Sequence, residues 1–133
     1  MIKGIQSVDD AVLAAERGVE AIALSNHGGR QLDTAPAAFS LVAPVADAVG
    51  GRAEIICDGG IRRGSDIIKA VAAGATAAMA GRAYLYGLGA GGERGVDQVL
   101  GWFRDDLVRT MTLLGKGTIA ELDRAVINRP STG

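Results

Sequence analysis

Short, continuously apolar runs alternate with longer stretches of helical periodicity along this chain. Ala21-Ile22-Ala23-Leu24, Ile55-Ile56-Cys57 and Ala77-Ala78-Met79-Ala80 lack inside–outside alternation, as do strands buried on both faces of a parallel sheet. Met1-Ile2-Lys3 reads as the end of a further strand. Between the strands, Ser7 with Asp10 three residues on predicts an N-cap with an acidic N3 residue, opening a helix over about Val8–Arg17 that Gly18 stops. A second helix is predicted from near Pro36, a residue favoured in the first turn, to Gly50. Ser65 is expected to cap a third over about Asp66–Ala73, ended by Gly74. In the last and longest helix Val96, Val99, Leu100, Phe103, Leu107, Met111 and Leu114 fall at helical spacing, and Gly115 closes it. The polar tail after Ala120, with one proline, is expected to lie on the surface.

Strand and helix in strict succession predict an α/β fold with a parallel sheet and right-handed crossovers. An open doubly wound sheet and a closed (β/α)8 TIM barrel both satisfy that pattern. No G-x-G-x-x-G opens a helix after a strand, so the dinucleotide-binding sheet has little support and the barrel is preferred. A closed barrel takes at least about 200 residues, and the chain has 133. The expectation is therefore a barrel's C-terminal portion, residues 1–133, without an internal linker.

Composition narrows the function classes. Hydrophobic residues make up 48% of the chain, enough to bury a core, and the net charge is −1 with the 14 basic residues scattered. That leaves no electrostatic footprint for nucleic acid. No apolar run approaches the roughly 18 residues of a membrane span, and the N-terminus carries no secretory h-region. A single cysteine, Cys57, cannot form an internal disulfide, which makes a reducing cytoplasm the default location. Cys57 itself reads as core. The 20 glycines, with aromatics at only 4%, cluster as punctuation between apolar runs.

Those glycine clusters carry the candidate chemistry. Asp58-Gly59-Gly60-Ile61-Arg62 follows one strand and Gly81-Arg82 the next. Glycines there let backbone N–H groups approach a ligand, and two guanidiniums match phosphate oxygens bidentately. A short helix starting after Arg82, at Ala83-Tyr84-Leu85, would add a favourable dipole. His27, the chain's one histidine, stands in Ser25-Asn26-His27-Gly28-Gly29-Arg30 after another strand. An imidazole takes up a proton near physiological pH, as a general base must, and Arg30 offers a fork for a substrate carboxylate. No metal site is expected.

Ser25-Asn26-His27-Gly28-Gly29-Arg30-Gln31-Leu32-Asp33, Asp58-Gly59-Gly60-Ile61-Arg62-Arg63-Gly64 and Gly81-Arg82, in this order and spacing, resemble the FMN-dependent α-hydroxy-acid oxidase and dehydrogenase family. That family includes glycolate oxidase and the flavin-dependent lactate and mandelate dehydrogenases. The resemblance implies oxidation of a small 2-hydroxy acid with FMN, and a chain that runs from the end of strand 5 through strand 8 and the final helix of the barrel. It implies that Lys3 and Ser25 face the flavin ring, His27 removes a substrate proton and Arg30 pairs with the substrate carboxylate. Asp58, Gly59, Gly60, Arg62, Gly81 and Arg82 would hold the ribityl chain and phosphate. It also implies that the earlier strands carry the substrate-contacting tyrosines and the aspartate that orients the histidine. An active, homo-oligomeric parent is then expected, with the isolated chain inactive and its open sheet edges prone to association. One alternative within the resemblance is a mycofactocin-type flavoenzyme that oxidises a peptide-derived C–N centre, a group in which the arginine after the two glycines is often replaced. Another phosphate-binding barrel, such as an isomerase or aldolase, would have no reason to carry His27 with Arg30. A non-catalytic remnant is the remaining alternative.

Overall fold

The computed structural model describes residues 1–127. Among them, β1 (Ile2–Ile5), β2 (Ala21–Leu24), β3 (Glu54–Asp58) and β4 (Ala77–Met79) form one sheet in the order β1-β2-β3-β4. All three pairings are parallel. The connecting helices are α1 (Val8–Glu16), α2 (Ala38–Val49) and α3 (Gly64–Ala73), and α4 (Arg82–Leu114) follows β4. Strand order never reverses, so these strands contain no switch point of the doubly wound kind. Each helix packs on the next, α1 on α2, α2 on α3 and α3 on α4.

Hydrophobic burial holds the two layers together. Ile22, Leu24, Ile55 and Cys57 face the helices and share a core with Ala11, Ala14, Val42, Val45 and Val49. The opposite pleat carries the row Lys3, Ala23, Ile56 and Ala77, aligned by register across all four strands. Central β2 is buried as its apolar run predicts, with Ile22, Ala23 and Leu24 at 0% exposure. The outer strands are not, because each has a neighbour on one side only. Ile2 of β1 is 38% exposed.

Local signals explain most boundaries. Ser7 caps α1 by accepting the Asp10 N–H at 3.1 Å. Gly50 and Gly74 end α2 and α3 in the left-handed conformation that only glycine adopts cheaply. One expectation fails and two are refined. Ser65 does not cap α3, because the N-cap is Arg63 and the Ser65 N–H is taken by Asp106 of α4 at 2.7 Å. Pro36 precedes α2, which starts at Ala38. The last helix starts at Arg82 and is broken at Gly91 and Gly92, so the short helix after Arg82 and the long apolar helix form one interrupted element.

Within α4, Phe103 and Met111 are buried, whereas Leu100 and Leu114 of the predicted stripe are 55% and 38% exposed. Nor is the tail simply a surface segment. Leu122 is buried with Ile68, Ala72 and Met111. Arg124 forks onto Asp47 at 3.0 and 2.6 Å, tying the tail to α2. The tail's proline, Pro130, lies outside the described residues.

Candidate active site

Parallel strands put their C-terminal ends on one edge of the sheet, so Lys3, Ser25, Asp58 and Gly81 arrive side by side. β1 carries a register irregularity between Lys3 and Ile5, with Gly4 at φ 97°. Such bulges turn a side chain out of the regular pleat. Lys3 Nζ lies 2.6 Å from Asp58 Oδ2 and donates to Ser25 Oγ at 3.0 Å. Ser25 Oγ donates to Asp58 Oδ2 at 2.7 Å and accepts the His27 N–H at 3.1 Å. The Ser25 hydroxyl thereby gives its one proton and fills both lone pairs. It is 1% exposed, the floor on which three strand ends meet.

This network sets the local electrostatics. Burial works to raise the Asp58 carboxyl, but hydrogen bonds from Lys3 and Ser25, the Lys3 charge and the Gly59 N–H outweigh it and hold the group below the usual carboxylate range. Cys57, one residue earlier and fully buried, is pushed up to about 11 by burial and by the Asp58 charge. A thiol held protonated in the core is a poor nucleophile.

Above that floor opens a cleft of about 770 Å³ lined by Lys3, His27, Arg30, Asp58, Gly59, Gly60, Arg62, Gly81 and Arg82. Of the residues singled out in the sequence, only Ser25 is absent from the lining, because it is buried beneath it. Four of those side chains are cationic (Lys3, Arg30, Arg62 and Arg82) against the single carboxylate of Asp58, which Lys3 already pairs. A Cβ on Gly60 or Gly81 would meet nothing within 4 Å, so the backbone borders free space there. Guanidiniums, accessible backbone and the N-terminus of α4 make a donor set suited to a phosphate dianion, and the residues present fit FMN.

His27 stands at the mouth, exposed, in a 3-10 turn over His27–Gly29. With φ 54° it is the one non-glycine residue with positive φ among those described. Backbone held in that region costs energy and concentrates at working sites. The described residues place no hydrogen bond on the imidazole, so none of them holds the ring as the resemblance has an aspartate do. The base loop and the cationic cradle touch, since a Cβ on Gly28 would lie 3.1 Å from Arg82 Nη2.

Gly28, Ile61, Met79, Ala83, Leu85 and Tyr86, to which the sequence assigned no ligand contact, also line the cleft. Tyr86 is 75% exposed on its wall, and its place after Gly81-Arg82 was the signal available for it. Asn26, quoted within the histidine motif without a role, braces the loop through its side chain. No group of three or more metal-ligating side chains occurs among the described residues, and no helix there is long and apolar enough to cross a membrane.

Known proteins resemble the chain in sequence and in fold. The chain is 51% identical over 122 residues to a pre-mycofactocin synthase of Mycolicibacterium smegmatis, covering 92% of this chain and 31% of that protein. It is 45% identical over 128 residues to an L-lactate oxidase of Nostoc sp., covering 96% and 35%. A solved structure of (S)-mandelate dehydrogenase superposes with a TM-score of 0.92 at 42% identity, covering 96% of this chain and 36% of that one. The chain thus spans about a third of the length of the relatives it matches. The family model described as FMN-dependent dehydrogenase matches residues 1–129, and the chain belongs to that family.

Proposed function

We propose that the protein carrying this chain oxidises a small 2-hydroxy acid to the 2-oxo acid with FMN, and that residues 1–133 form the last part of its barrel. On this reading the chain runs from the end of strand 5 through strand 8 and the final helix. One observation carries it, the opening of His27, Arg30 and the Lys3–Arg62–Arg82 cations onto a single cleft. Similarity to an L-lactate oxidase and a mandelate dehydrogenase supports it.

Bound FMN supplies the acceptor for the two electrons the substrate loses. His27 takes up one of the two protons the substrate loses, the other hydrogen leaving to the flavin or to solvent, and Arg30, three residues on, clamps the carboxylate so that the carbinol group lies within reach of the base. Lys3, fixed by Asp58 and Ser25, presents its positive charge to the flavin ring. Gly60 and Gly81 leave room for the ribityl phosphate, which Arg62 and Arg82 neutralise with the α4 N-terminus, while Gly59 lines the same cleft. Asp58 acts mainly by holding Lys3.

Turnover tests the reading. The full-length protein loaded with FMN is expected to lose its oxidised-flavin absorbance anaerobically when lactate, glycolate or mandelate is added. His27→Ala should slow that reduction by about 10²–10⁴-fold, the usual worth of a general base. Arg30→Met should mainly raise the hydroxy-acid KM. No flavin reduction by any of these acids would refute the assignment.

A second reading has one observation in its favour, the 51% identity to a pre-mycofactocin synthase. It has oxidation of a peptide-derived C–N centre as the reaction. Retention of Arg30 favours a carboxylate-bearing substrate, and flavin reduction by a peptide amine but not by hydroxy acids would reverse the order.

A further inference from the structure

The His27 backbone is held in the left-handed region, which L-residues adopt infrequently, and the side chain next to it is placed to hold it there. Asn26 Oδ1 accepts the Gly28 N–H at 3.0 Å, closing the turn around His27. Asn26 Nδ2 donates to the Pro36 carbonyl at 3.2 Å, ten residues along the chain, fastening the far end of the same loop just before α2 begins. The two partners fix the amide's orientation, because an N–H cannot accept and a carbonyl cannot donate. On its third side, Oδ1 lies 3.3 Å from the point a Cβ on Gly59 would take, so the amide packs on the end of β3.

We propose that Asn26 is a positioning residue for His27, joining the base loop at both its ends to the Gly59 edge of the flavin cleft. This rests on the flavoenzyme reading and goes beyond it. The chemistry is specific to this side chain. Aspartate keeps the acceptor for Gly28 but has no proton for Pro36, serine offers a shorter reach, and glutamine carries an extra methylene toward Gly59. With Asn26 in place, the imidazole and Arg30 are presented by a turn that does not have to be organised when substrate arrives.

Two readouts test it. Because His27 is the single histidine of residues 1–133, the full-length protein with histidine label confined to this segment by ligation gives one backbone amide signal in NMR, sensitive to its φ. Wild type is expected to show one sharp resonance with shifts typical of positive φ. Asn26→Ala should broaden it or move it toward values for negative φ, and Asn26→Asp should fall between. In the flavin-loaded full-length enzyme, kcat per bound flavin should fall by about 10–100-fold in Asn26→Ala and less in Asn26→Asp, as for reacting groups displaced by about 1 Å. FMN affinity should change little. An unshifted His27 signal overturns the proposal, as does turnover per bound flavin within twofold of wild type, or a loss that follows only flavin occupancy. Should Asn26→Ala not accumulate, Asn26→Asp and Asn26→Ser are read by the same criteria. Failure of wild type to oxidise any hydroxy acid would sink the functional reading alone, since the NMR signal still decides the role of Asn26.

Discussion

Lys3, Ser25 and Asp58 each come from a different strand, and their energies interlock. Asp58 is titrated downward in the fold, so it binds a proton less readily there than in the unfolded chain. The corresponding stability is present above the ordinary carboxylate pKa of about 3.9 and is lost as pH falls through the lower folded value. Urea denaturation at falling pH should show that loss, and Asp58→Asn should flatten it. With the Lys3 side chain 42% exposed, water screens the pair, and about 1 kcal/mol is the expected size. Ser25→Ala should cost more, about 1–3 kcal/mol, because it removes a buried hydroxyl that makes three hydrogen bonds, one of them to the Asp58 carboxylate. At this scale the motif residues were legible in sequence because their chemistry is in their identity. The Lys3–Ser25–Asp58 bonds were not, since 33 residues separate Ser25 from Asp58 and no periodicity encodes that meeting.

The helices show where local rules stop. Capping and glycine stops located α1 and the ends of α2 and α3, because those signals act within a few residues. The start of α3 escaped them, since its cap is Asp106 from another helix. The same helix pair explains Gly64, where a Cβ would overlap the backbone of Phe103 and Leu107. Gly64→Ala should therefore force α3 and α4 apart and destabilise the chain by about 1–3 kcal/mol, as overpacking does. Equilibrium denaturation checks this, and an unchanged midpoint would mean that the helices can separate freely. Gly87 and Gly95 make a second such contact, letting the two parts of α4 lie back on each other around the break at Gly91 and Gly92. Heptad-like spacing predicted the apolar face of the later part but could not reveal that return.

At the scale of the molecule, the sheet ends in two strands with one neighbour each. Unpaired strand edges invite association, and charge on an edge suppresses it. The chain by itself is expected to associate in a concentration-dependent way in sedimentation velocity, and Ile2→Lys on the exposed β1 should reduce that association. Monomeric behaviour at all concentrations would show that the edges are already protected. At the cleft, the exposed His27 imidazole donates no hydrogen bond to a carboxylate among the described residues.

The sequence by itself determined the order of strands and helices, the parallel class of the sheet and the charged side chains that line the cleft, but not its apolar wall of Ile61, Met79, Leu85 and Tyr86. Those properties follow from short-range periodicity, capping and residue chemistry, and for Lys3 from the family resemblance. Tertiary structure alone decided that Lys3 pairs with Asp58, that Arg82 reaches Gly28, that Asp106 caps α3 and that Asn26 packs on Gly59. Each of these joins positions far apart along the chain, and such distances close only when the apolar faces of strands and helices have been buried against each other.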